Sequence, residues 1–143
     1  MTDDHDLSRF LQAQADSYDQ ALSELKAGQK RSHWMWYVFP QIQGLGRSAT
    51  AQHYAIKSRA EAEAYLKHPT LGQRLRECAG ALLTLDGLTA HQILGSPDDL
   101  KLKSSMTLFN EVAGGDPVFS GVLDKYYGGE NDSATLALLS SQQ

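Results

Sequence analysis

The chain has 143 residues, the size of one ordinary domain, and its 41% hydrophobic to 21% charged balance suits a buried core and excludes a disordered polymer. A formal net charge of −4 argues against broad nucleic-acid binding, which rests on Lys and Arg neutralising phosphates. No stretch approaches the roughly 20 apolar residues that a bilayer span needs, so no membrane association is expected.

The opening, Met1-Thr2-Asp3-Asp4-His5-Asp6, is acidic and lacks a basic region followed by an apolar run, so a secretory signal is not expected and a cytoplasmic location is. From 6 to 27, Leu7, Phe10, Leu11, Tyr18, Ala21, Leu22 and Leu25 mark one face at a period of 3.6, which predicts a single helix closed by Gly28. The aromatic run Trp34-Met35-Trp36-Tyr37-Val38-Phe39 has strand-like composition, yet Ser32 is placed to cap it and Pro40 to end it, and a short helix is the preferred reading.

Three hydroxyl residues stand three positions ahead of a Glu or Gln: Ser58 with Glu61, Thr70 with Gln73, and Thr89 with Gln92. In a capping box the hydroxyl accepts a hydrogen bond from a first-turn amide while the Glu or Gln side chain reaches back to the cap amide. The helix after Thr70 carries Leu71, Leu75, Cys78, Ala79, Leu82 and Leu83 on one face, and Cys78, the single cysteine, is expected in the core. Ser96-Pro97-Asp98-Asp99 reads as cap, first helical residue and two carboxylates at the positive end of the helix dipole. Asp116-Pro117 repeats the signal, and Asp132 is placed to cap a last helix. The expected fold is all-α, one compact domain over 1–143 with about seven short helices and frayed ends near 1–5 and 140–143.

Function is less legible. Residues 32–41 crowd Trp34, Trp36, Tyr37, Phe39 and Met35 between Lys30, Arg31, His33 and Gln41, and neighbouring residues of a helix point in different directions. Such a segment is either buried on all sides or lends rings to a cavity, and aromatic walls with a few polar groups make small-molecule pockets. Gly44-Leu45-Gly46-Arg47-Ser48-Ala49 formally matches a dinucleotide fingerprint but lacks the strand and βαβ unit that motif requires. The amides near Gly46, with Arg47 and Ser48, remain candidates for holding an anion, against the plainer reading of a tight loop. Lys101 stands one turn from Ser104 and Ser105; a solvated helix face or a lysine paired to an anion is the simpler reading than a Ser–Lys nucleophile. The five histidines show no metal-ligand spacing, so no metal and no cofactor are expected.

At these residues the chain resembles a bacterial family of unknown function often labelled calpastatin-like. The shared pattern is Ser32-His33-Trp34-Met35-Trp36-Tyr37, Phe39-Pro40-Gln41, Gly44-Leu45-Gly46 with Ser48, Tyr54, Glu61-Ala62, Tyr65-Leu66, His68-Pro69, Leu71-Gly72, Lys101-Leu102, and 104–109. It spans nearly the whole chain, and the resemblance implies a compact all-α domain. A weaker similarity to the NADAR family rests only on segment order, with Lys101, Met106 and Phe109 in the late helix, and carries over no catalytic residue.

The expected function is a site for an anionic, ring-containing, nucleotide-derived compound resembling ADP-ribose. Trp34, Trp36 or Tyr37 would stack the ring, and Gln41, Gly46, Arg47, Ser48, Lys101, Ser104 and Ser105 would supply polar contacts. His33 or His53 would transfer protons if the site is an N-glycosidic hydrolase. The alternative is a non-catalytic interaction module in which the aromatic segment is core or partner groove.

Overall fold

The computed structural model describes residues 6–141. Among them the chain forms ten helices: α1 (Ser8–Ala15), α2 (Tyr18–Ala27), α3 (Met35–Val38), α4 (Ala49–Tyr54), α5 (Arg59–Lys67), α6 (Leu71–Leu83), α7 (Ala90–Leu94), α8 (Asp98–Ala113), α9 (Pro117–Tyr127) and α10 (Ser133–Ser141). No strand occurs among the described residues; a lone parallel bridge joins Ile42 to Ile56. The all-α expectation holds, with more and shorter helices than about seven. No described helix is long and apolar enough to cross a membrane. The frayed ends expected at 1–5 and 142–143 lie outside the described residues, whereas Ser140 and Ser141 belong to α10.

The helix expected over 6–27 is two helices. The hydroxyl of Ser17 donates to the Ala13 carbonyl at 2.7 Å, occupying the acceptor that the Ser17 amide would use in a continuous helix. That amide instead bonds to the Gln14 carbonyl, and the backbone leaves the helical region at Ser17 (φ −127°).

The caps divide in the same way. Thr89 and Gln92 form the full capping box, and Asp116 caps α9 with Pro117 at the first helical position. Ser58 accepts from the Glu61 amide, but the Glu61 carboxylate turns to Arg9 and the Lys57 amide. Thr70 makes no cap bond; Nδ1 of His68 accepts from the Thr70 and Leu71 amides at 3.1 and 3.2 Å and does that work instead. Pro97 stands at the cap of α8 rather than inside it.

Helix α8 is the organising element. Residues 104–109 are buried without interruption, as befits a helix enclosed on several sides by α5, α7, α9 and α10. Of the two readings of Lys101, Ser104 and Ser105, the solvated face is corrected, since both serines are buried, while Lys101 meets a carboxylate, Asp98 Oδ1, at 3.6 Å. Helix α6 packs on α2, α5 and α9, and α3 lies against α1, α4 and α6. The start of α6 meets the end of α5 so closely that a Cβ at Gly72 would lie 2.1 Å from the Leu66 carbonyl oxygen, which only glycine avoids. A chain of rings, Phe10 to Tyr65 (5.0 Å, edge-on), Tyr65 to Phe109 and Phe109 to Phe119, runs through the core. Cys78 is wholly buried, as expected.

Candidate functional site

The segment carrying the aromatic run is anchored by Glu24. Its carboxylate accepts hydrogen bonds from the Arg31 amide (2.7 Å), the Ser32 amide (3.1 Å), the Ser32 hydroxyl (2.5 Å) and the Trp34 indole (2.9 Å). Burial by itself raises the pKa of this group, but the Ser32 hydroxyl, the Arg31 amide and the Trp34 indole outweigh it and hold the carboxyl at about 2. Two expectations are corrected here. Ser32 does not cap α3, and Trp34 is core: 1% exposed, with its one polar atom committed to Glu24. Met35, Val38 and Phe39 are buried beside it, so most of the aromatic run is interior.

Trp36 and Tyr37 are the exceptions, and Trp36 meets charge. It is half-buried, and the Lys101 ammonium stands 5.5 Å from the centre of its ring, with the His33 ring 6.5 Å away. Lys101 also meets Asp98 Oδ1 at 3.6 Å, while Lys30 takes Asp98 Oδ2 at 2.9 Å and stands 5.2 Å over Trp34. Two ammonium groups thus share one carboxylate, each over an indole face. Lys30 is sealed, with 8% of its side chain exposed; Lys101 is open to solvent at 24%. The result is one surplus positive charge, fixed beside a reachable aromatic ring.

On its other flank Trp36 lines a narrow cleft with Gln41, Gly46, Ala51 and Tyr54. The cleft holds only about 10 Å³, room for roughly one water. Gly46 is needed there, because a Cβ would fall 2.5 Å from that of Ala51. Four other sequence candidates, His33, Gln41, Gly46 and Lys101, therefore gather around the Trp36 indole.

The other candidates go elsewhere. Tyr37 is half-buried, its hydroxyl donating to the His33 carbonyl and its ring 5.3 Å from Tyr54. His53 is exposed and packs edge-on against Tyr54 at 4.6 Å, so the two histidines meet different rings of the cleft and not each other. Ser48 caps α4, its hydroxyl oxygen accepting from the Ala51 amide. Arg47 is exposed, and its guanidinium makes no ion pair among the described residues; its carbonyl accepts from Gln52. Ser104 is buried and bonds to Asp132, the residue that caps α10, so it ties α8 to α10. Ser105 is buried with its hydroxyl unpartnered among the described residues. No cluster of metal-ligating side chains is found among the described residues.

Lys30 and Asp98 are the members that sequence reasoning left out. Lys30 reads as one of two flanking cations and Asp98 as a dipole-favouring carboxylate, and no local pattern announces that they meet.

The family described as "Protein of unknown function (DUF1810)" matches residues 4–139. The crystal structure of the conserved hypothetical protein Rv1873 from Mycobacterium tuberculosis is similar at 51% identity and a TM-score of 0.95, over 96% of this chain and 99% of that one. No curated protein matches the chain.

Proposed function

The chain belongs to the DUF1810 family; no reaction comes with that membership, and we propose from geometry that it is a small-ligand-binding domain for an anionic, ring-containing compound. The observation that carries this reading is Lys101, held 5.5 Å over the half-buried Trp36 ring by a long 3.6 Å contact to Asp98. An ammonium already drawn to an indole face presents donors to a phosphate or carboxylate while the indole offers area to a ring. His33 adds a second ring and a further donor.

Because the neighbouring cleft takes roughly one water, the ligand ring lies on Trp36 and not inside a pocket. Binding is accordingly the reading, rather than glycosidic hydrolysis: the histidines of the two walls stand on separate rings, with no shared proton-transfer partner to favour acid–base work. A nucleotide or ADP-ribose supplies both the ring and the charge.

The test is a thermal-shift and tryptophan-fluorescence titration with ADP-ribose, AMP and inorganic phosphate. Trp34 is sealed, so a ligand-dependent fluorescence change must come from Trp36 and must vanish in Trp36→Phe. A ligand at a hundred times its Kd raises stability by about 2.7 kcal/mol, and Lys101→Ala weakens binding by about tenfold, roughly 1.4 kcal/mol. Flat titrations across the panel, or a response untouched by either substitution, overturn the reading.

A further inference from the structure

A cavity of about 280 Å³ opens where the last turns of α5 and α8 meet α6 and the start of α9, sharing no residue with the Trp36 surface. Its walls bring together Glu63 and Lys67 from α5, Arg76 from α6 and Asp116 at the head of α9, with Leu66 and Val112 as apolar surface. The two cations and two carboxylates balance. The one pair made between them is partly open to solvent. Arg76 Nε meets Asp116 Oδ2 at 3.2 Å, with 42% of the arginine side chain exposed, and Glu63 meets Arg59 at 3.6 Å. Among the described residues no carboxylate pairs with Lys67.

We propose that this cavity binds a small dipolar molecule, one carboxylate and one ammonium on a short apolar body, of which a free aliphatic amino acid is the simplest case. The volume lies just under the roughly 300–1,000 Å³ of drug-sized pockets, which leaves room for a small molecule. The charges select the class. A ligand carboxylate meets Lys67 and Arg76 while its ammonium meets Asp116 and Glu63, so the ligand replaces the Arg76–Asp116 contact on both sides. An anion alone would compete with Asp116 for Arg76, and a cation alone would compete with Arg76 for Asp116, whereas a dipolar ligand meets both. The exposed Arg76–Asp116 pair contributes little to stability, so inserting across it costs little. Leu66 and Val112 give the aliphatic body something to cover.

The experiment is an amide-resonance titration of the full chain with L-leucine, 4-methylpentanoate and isopentylamine, which share a similar body and differ in charge. L-Leucine at millimolar concentration is expected to shift the amides of Lys67, Arg76, Val112 and Gly115. Each singly charged analogue should bind at least about tenfold more weakly. Lys67→Ala, at an exposed position, and Asp116→Asn, which keeps an oxygen to accept from the Val118 amide, should each weaken leucine by about tenfold in a protein with otherwise native spectra. The proposal is overturned if leucine shifts nothing, if either analogue binds as tightly as leucine, or if both variants bind leucine like the parent. None of these results bears on Trp36, so this site and the ligand surface fail or stand separately.

Discussion

The ammonium of Lys30 meets the Asp98 carboxylate at 2.9 Å, and that sealed pair is what holds Lys101 beside Trp36. The two lysines touch the same carboxylate but differ in surroundings. Removing Lys30 takes the shorter contact from a carboxylate that keeps only Lys101 at 3.6 Å and uncovers the Trp34 face, so Lys30→Ala should cost about 2 kcal/mol of unfolding free energy. Lys101→Ala removes a longer, more open contact and should change stability by less than about 1 kcal/mol. Urea denaturation of the two variants checks this. Equal losses would mean that Lys101 is part of the frame and not free for a ligand.

Glu24 makes a prediction about acid. Its carboxyl is depressed from an ordinary 4.5 to about 2, so its stabilising contribution is complete above roughly pH 4.5 and is lost as pH falls towards 2. A shift of that size corresponds to about 3 kcal/mol. Glu24→Gln, which keeps one acceptor oxygen but no charge, should lower stability at pH 7 and flatten its dependence below pH 4.5. Unfolding free energies of parent and variant between pH 3 and 7 decide the matter; curves that stay parallel down to pH 3 would show that Glu24 is not the responsible group.

The all-α class was legible because helix starts, stops and apolar stripes are local signals, and Thr89-Gln92 and Asp116-Pro117 behave as their patterns require. The break at Ser17 was not, because it turns on whether one hydroxyl bonds back to Ala13. Trp34 and Trp36 show the same limit at the site. They are two residues apart and chemically identical, and one is sealed while the other meets solvent. What separates them is Glu24, ten residues earlier, and Lys101 on a distant helix. Pairings across the chain leave no trace in periodicity.

Ser104 and Ser105 are neighbours on α8 with opposite fates. Ser104 bonds to Asp132 and so helps seat α10, whereas Ser105 has a buried hydroxyl and no partner among the described residues. Truncating the first should leave the Asp132 cap one donor short and destabilise by about 1–2 kcal/mol. Truncating the second removes an unsatisfied group, and Ser105→Ala should be neutral or stabilising by up to about 1 kcal/mol. Thermal unfolding of both variants tests the contrast. A loss at Ser105 comparable to that at Ser104 would show that its hydroxyl has a partner after all.

The caps allow a comparison across three residues. Thr89→Ala removes a hydroxyl that accepts from the Gln92 amide and should cost about 1 kcal/mol. Thr70 has the same spacing to a glutamine but makes no cap bond, so Thr70→Ala should stay within about 0.5 kcal/mol. The larger effect at that helix belongs to His68, whose ring nitrogen serves two amides; His68→Ala should cost about 1–2 kcal/mol, matching or exceeding Thr89→Ala. Chemical denaturation of the three variants ranks them. If Thr70→Ala proves as costly as His68→Ala, the histidine is not the cap of α6, and the plain threonine reading of the sequence was the better one.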